Sequence, residues 1–202
     1  MAPCLLPSAR GGDPRSAWSC SRSSPLASSA LLSGRSLTDT ASILQHPRVL
    51  EVIAALRAVE LQEAAENITV LGDSAPTAAA AAEQLGCELG AIANSLIFSV
   101  HGQPLLILTS GAHRVNTAFV AEFLGVATLD RADADFVRIH TGQAIGGVGP
   151  VGHPHPIGTL VDIDLMNHDV IWAAAGHPHT MFPTTFADLV RMTDGTVTQV
   201  EP

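Results

Sequence analysis

The sequence holds no lysine; all ten of its basic residues are arginine. That absence excludes Schiff-base chemistry, a lysine-bearing P-loop and any lysine clamp on phosphate. Tyrosine is absent too, and aromatic residues make up only 4% of the chain. Trp172 and Phe182 are therefore expected in the core rather than as platforms for stacked bases. No apolar run reaches the ~18 to 20 uncharged residues that cross a bilayer, "SLIFSV" and "PLLILTS" being strand-length, so no membrane span is expected. Cys4, Cys20 and Cys87 form no paired framework. Disulfide stapling is not expected, and a reducing, cytoplasmic setting is. Cys87, in "LGCELG", has no activating group beside it and is expected to fill core space.

What is present begins with a change of composition. Residues 1–35 hold nine serines, four arginines and one acid without periodicity, which reads as a disordered tail, a transit leader or the product of an upstream start codon. The expected boundaries are a tail over 1–37 and one domain over 38–202. Against a net charge of −9 for the whole chain, residues 36–202 carry −12. A domain so acidic repels a nucleic-acid backbone at long range, so DNA is not an expected partner, and any RNA must be gripped locally or delivered by another protein.

Periodicity then sets out the elements. "HPRVLEVIAALRAVEL" carries Val49, Val52, Ile53, Leu56 and Val59 at helical spacing with Pro47 in the first turn. "NITVL" reads as a short strand, and Ser74 and Pro76 are expected to open the helix "TAAAAAEQLG", closed by Gly86. The two apolar runs "AIANSLIFSV" and "PLLILTS", joined by a Gly-containing turn, predict a hairpin. "NTAFVAEFLG", "DADFVRIHTG" and "TTFADLVRMT" predict helices, and "TLVDIDL", "DVIWAAAG", "HTMF" and "TVTQV" predict strands. Hairpins mixed with helices predict a single α+β domain with a curved mixed, largely antiparallel sheet flanked by helices.

Between the helix "DADFVRIHTG" and the strand "TLVDIDL" lies "GGVGPVGHPHP", Gly146–Pro156. Its glycines admit close approach to bare backbone and its prolines stiffen it, so it can present N–H donors to a carboxylate, a phosphate or a developing oxyanion; a plain connecting turn has the same composition. It is neither a P-loop nor a dinucleotide loop. The near-repeat "GHPHP" and "GHPHT" puts His153, His155, His177 and His179 where they line a pocket mouth or, if they converge, hold zinc. Asp162 and Asp164 alternate with apolar residues and are expected on one solvated strand face. Arg114, in "GAHRVN", is a candidate grip on phosphate.

Taken in order, "IANSLIF", "PLLILTSGAHRVN", "FLG", "GGVGPVGHPHP", "LVDIDL", "VIWAAAGHPH" and "LVRMTDG" resemble the YbaK/prolyl-tRNA synthetase-associated editing domain family over about residues 42–200. The resemblance implies hydrolysis of aminoacyl esters wrongly attached to tRNA, notably tRNA for proline, with no cofactor or metal. It implies as partners the acceptor end of aminoacyl-tRNA and a synthetase or elongation factor. The family's Gly-x-x-x-Pro loop falls on Gly146 and Pro150, whose neighbouring amides would hold the aminoacyl carbonyl. Asn94 stands where editing members carry lysine. The expected catalytic set is Asn94, Gly146, Gly147 and His177. Ser95, Arg114, Val148, Gly149, Pro150, His153, Gly176 and His179 are expected to bind substrate. A non-catalytic relative that binds an aminoacyl ligand is the alternative, carried by the missing lysine.

Overall fold

The computed structural model describes residues 37–73, 75 and 77–202. The expected tail, with Cys4 and Cys20, and the helix-opening Ser74 and Pro76 lie outside these residues. Helices α1 (Leu37–Leu44), α2 (Pro47–Ala58) and α3 (Gln62–Glu66) lead into strand β1 (Thr69–Val70) and helix α4 (Ala78–Leu85). The hairpin follows as β2 (Ile92–Val100) and β3 (Gln103–Ser110), then α5 (Thr117–Leu124), β4 (Asp130–Arg131) and α6 (Ala134–Thr141). After the glycine loop come β5 (Gly158–Asp162), a 3-10 turn (Ile163–Asn167), β6 (Ile171–Ala174), β7 (Thr180–Thr184), α7 (Phe186–Thr193) and β8 (Thr196–Thr198).

Local chemistry fixes these ends. Thr77, Asn116 and Asp133 accept the N–H groups of Ala80, Phe119 and Phe136, each closing the first turn of its helix. Left-handed glycines close α4, α5 and α6 at Gly86, Gly125 and Gly142.

The sheet runs β1-β7-β6-β2-β3-β5-β8, with antiparallel pairs at β1·β7, β6·β7 and β2·β3 and parallel pairs at β2·β6, β3·β5 and β5·β8. The run "PLLIL" is apolar without alternation because both faces of β3 are covered. Leu106 and Leu108 pack with α2, α3, α6 and α7, while Leu105 and Ile107 pack with α5. Burying Leu106, Ile107 and Leu108 completely stabilises the fold by about 1.5–3 kcal/mol for each side chain.

One edge of β2 is divided. Strand β6 pairs with Ile92 and Ala93, and β4 pairs antiparallel with Phe98 and Ser99. Between them the outer edge of residues 94–97 has no strand neighbour among the described residues. That interruption positions the site.

Candidate active site

Across the open edge of β2 lies a cleft of about 480 Å³ whose walls include Asn94, Ser95, Arg114, Ile145, Gly146 and Val148. A smaller pocket of about 200 Å³ continues from it. The two share Ser95, Leu96, Ile145, Gly146 and Val148, and the smaller is closed by Phe98, Arg131, Ala132 and Val137. Residues some 50 positions apart thus converge because β2 is exposed between two partners and the loop after α6 lies beside the gap.

The loop's donors divide into two groups. Gly147 N–H donates to Ala144 O at 2.9 Å and Gly149 N–H to Gln143 Oε1 at 2.7 Å, so both are engaged inside the protein. The amides of Gly146 and Val148 donate to no group among the described residues, and both residues line the cleft. Of the loop amides expected to stabilise an oxyanion, these two have the capacity. Gly147 is also closely packed: a Cβ there would lie 2.6 Å from His177 C and 2.7 Å from Pro178 N. Its bare backbone lets the loop lie against the turn between β6 and β7.

Gln143 is the strut that holds this shape, and nothing in "HTGQAIGG" marked it. Its side chain, 1% exposed, accepts from Gly149 N–H and donates to Val151 O at 3.2 Å. One amide group satisfies a buried and a partly buried backbone group, which fixes the path from 143 to 151.

The remaining expected residues stand behind the loop and do not line the cleft. His153 Nε2 lies 3.0 Å from Gly149 O, so that nitrogen carries the proton and donates. Burial holds the His153 imidazole below its ordinary pKa, with the Gly149 carbonyl opposing the shift. The ring of His177 stacks at 5.4 Å on that of His179 and lies 5.0 Å from that of His46. Gly176, at φ +85°, packs where a Cβ would meet Arg48 O at 2.5 Å, and Pro150 is buried. His153 and the His177–Pro178 backbone are thus the groups in contact with the loop. His155 is exposed.

Asp162 corrects the expectation of a solvated strand face. The chain leaves β5 at Asp162 for the 3-10 turn, so Asp162 and Asp164 no longer alternate along a strand. Asp162, 1% exposed, accepts from Thr109 Oγ1 and Ser110 N–H and lies 2.9 Å from His113 Nδ1; its other oxygen accepts from Asp164 N–H. His113 Nε2 lies 3.1 Å from Asp164 Oδ2. Among the described residues, His113, Asp162 and Asp164 are the set that brings three possible metal-ligand atoms within 4.8 Å of one another. Their hydrogen bonds already form a closed network. It anchors the turn that carries Arg114 to the cleft mouth, and Glu201 adds a bond from Arg114 N–H at 3.3 Å. His113 escaped the sequence reading because its partners are 49 and 51 residues away.

Cys87 is partly buried against Ala81, Ala82 and Leu71, as expected of a space-filling residue. Burial raises its thiol pKa, which disfavours the thiolate. No described helix is long and apolar enough to cross a membrane.

The profile of the aminoacyl-tRNA editing domain family matches residues 73–192. The chain is 29% identical over 119 residues to the proline–tRNA ligase of Geobacter sulfurreducens, a match covering 55% of this chain and 21% of that one. It is 27% identical over 124 residues to the uncharacterised protein YwhH of Bacillus subtilis, covering 61% of this chain and 78% of that one. A crystal structure described as a candidate trans-editing enzyme for prolyl tRNA synthetase superposes with a TM-score of 0.70 at 33% identity, covering 78% of this chain and 98% of that one.

Proposed function

Because the chain belongs to the aminoacyl-tRNA editing domain family, we propose that it is an aminoacyl-tRNA deacylase acting in trans, which hydrolyses the ester of a mischarged tRNA, with tRNA for proline as the carrier. The observation that carries this reading is the meeting of Gly146 and Val148, whose amides have no acceptor among the described residues, with Asn94 and Ser95 at one continuous cleft. In the mechanism the 3′-terminal nucleoside occupies the larger part of the cleft. The amino-acid side chain enters the smaller pocket, whose volume of about 200 Å³ favours short side chains. Water attacks the ester carbonyl, and the Gly146 and Val148 N–H groups receive the negative charge that develops on its oxygen. The tetrahedral intermediate then collapses, the C–O bond to the ribose breaks, and the departing ribose oxygen takes a proton while the amino acid leaves as its carboxylate.

Asn94 donates a neutral hydrogen bond where a lysine would supply a charged one of roughly twice the strength. The neighbouring ribose hydroxyl orients or deprotonates the water, and Arg114 faces a phosphate of the acceptor end. The neutral Asn94 also favours a second reading, a relative that binds aminoacyl-tRNA without hydrolysing it. A panel of tRNAs mischarged with different amino acids separates the two. The deacylase reading expects esters of amino acids with short side chains to be hydrolysed faster than the uncatalysed rate and those with bulky ones to be spared. Saturable binding without accelerated hydrolysis of any ester would establish the second reading instead.

A further inference from the structure

The register of the hairpin decides which backbone groups of β2 face the cleft. Gly111 N–H donates to Ile92 O at 2.8 Å, and Ile92 stands opposite Gly111 in the register that pairs Ala93 with Ser110. In an antiparallel pair such bonds recur at every second residue. The N–H and C=O groups of the even-numbered residues from Ile92 to Val100 therefore turn to β3, and those of the odd-numbered residues from Ala93 to Ser99 turn to the opposite edge. At that edge Ala93 pairs with Ala173 of β6 and Ser99 with Asp130 of β4. The pairing of Phe98 with Arg131 also sets the Ile97 carbonyl against the N–H of Ala132. The N–H and C=O of Ser95 and the N–H of Ile97 are left without a bond among the described residues.

A second observation puts these groups on the cleft wall. Consecutive residues line it, 92–96 in the larger part and 95–98 in the smaller, as at a strand met edge-on; a strand met face-on shows alternate residues. Ser95 is partly exposed although its Oγ is buried, so the surface it shows is that of its backbone and Cβ. Backbone groups of a folded chain are nearly always paired with protein or water, so a carbonyl left open on a cleft wall is available to a ligand. Strands β4 and β6 close the two ends of the gap. Ser95 and Ile97 lie only about 7 Å apart along the strand, so the opening admits the polar groups of one residue rather than an added strand.

We propose that the Ser95 carbonyl accepts the α-ammonium group of the aminoacyl substrate, which makes the open edge of β2 the subsite that reads a free α-amine. The proposal rests on the deacylase reading for which ligand enters the cleft, but its test does not require turnover. Ser95 lines both parts of the cleft, so it stands where the α-carbon lies when the nucleoside fills the larger part and the side chain the smaller. Among the described residues no aspartate or glutamate lines either part, which leaves neutral oxygens to receive the cation. A carbonyl forms a stronger bond with a charged N–H than with a neutral one. With the acyl oxygen on the Gly146 and Val148 amides, the main chain of two separate elements holds the oxygen and the nitrogen of the aminoacyl group.

Alanyl- and propionyl-adenosine analogues in which an amide replaces the ester differ only in the α-amine. Titrated into the full chain labelled with ¹³C and ¹⁵N, the alanyl compound is expected to bind about 10- to 100-fold more tightly, the range set by a hydrogen bond to a charged group. The carbonyl ¹³C resonance of Ser95 shifts to saturation with the alanyl compound and by far less with the propionyl one. Equal affinities overturn the proposal. So does a preference for the alanyl compound with the Ser95 carbonyl resonance unmoved, or an alanyl compound that fails to saturate the protein. Alanyl-dependent binding with the Ser95 shift, but with no ester cleaved from any mischarged tRNA, would overturn the deacylase reading alone.

Discussion

Replacing Gly147 by valine is expected to leave a folded protein whose kcat/KM on a mischarged tRNA falls by about a hundredfold. The reason is space rather than backbone conformation. The first side-chain atom would lie 2.6 Å from His177 C, 2.7 Å from Pro178 N and 2.9 Å from His177 Cα. These are main-chain atoms, which cannot swing aside as a side chain can, so the glycine loop and the turn before β7 must separate. Gly146 and Val148 flank the substituted residue, and their amides move with it. A displacement of about 1 Å in groups that orient a reacting centre costs roughly 10² in rate. Gly158→Ala is the control, since a Cβ there meets nothing within 4 Å. Steady-state kinetics beside circular dichroism and thermal melting distinguish misplaced donors from a lost fold. Full turnover in Gly147→Val would contradict the assignment.

The second large effect falls on stability. Gln143→Leu keeps an extended side chain of similar bulk but leaves Gly149 N–H and Val151 O without the amide that joins them. A buried backbone group stripped of its partner costs about 1–3 kcal/mol, so the pair is expected to cost about 2–4 kcal/mol in all. For a domain of this size that lowers the melting temperature by about 5–15 °C. Activity falls as well, because the strut sets the course of the loop that holds Gly146 and Val148. Calorimetry and kinetics on the same preparation check both; a variant that melts with the wild type would show that other contacts hold the loop.

Local signals in the sequence carried much of the fold. Gly86, Gly125 and Gly142 end α4, α5 and α6 because a left-handed residue closes a helix whatever surrounds it. The hairpin at Val100–Gln103 follows from two apolar runs about a turn. The helix α4 starts after Thr77, the residue that accepts from Ala80, within a segment that offers several residues capable of capping. Asn94, Ser95, Gly146 and Val148 were identifiable from an ordered series of short motifs, and they do share one cleft.

What was not legible depends on pairing at long range. The divided edge of β2 exists because β4 and β6, some 40 residues apart, meet the same strand at different heights. "VDIDL" alternates like a half-exposed strand, yet the chain turns at Asp162 and buries that carboxylate beneath Thr109 and His113. Composition counts N–H donors but not their acceptors. Of the four amides from Gly146 to Gly149, those of Gly147 and Gly149 are therefore engaged, while those of Gly146 and Val148 donate to no group among the described residues. The His-Pro-His pairs drew attention through their repetition, yet the structure sets the His153 imidazole on the Gly149 carbonyl and stacks the rings of His177 and His179 on each other.

The central claim is that the Gly146 and Val148 amides, rather than ionic side chains, hold the acyl oxygen. An amide-resolved NMR titration of the ¹⁵N-labelled protein with a non-hydrolysable alanyl-adenosine analogue tests it most directly. The account predicts large, saturable shifts at Gly146 and Val148, with smaller ones at Gly147 and Gly149, whose protons remain on Ala144 and Gln143. Saturation of binding with the Gly146 and Val148 resonances unmoved would contradict it.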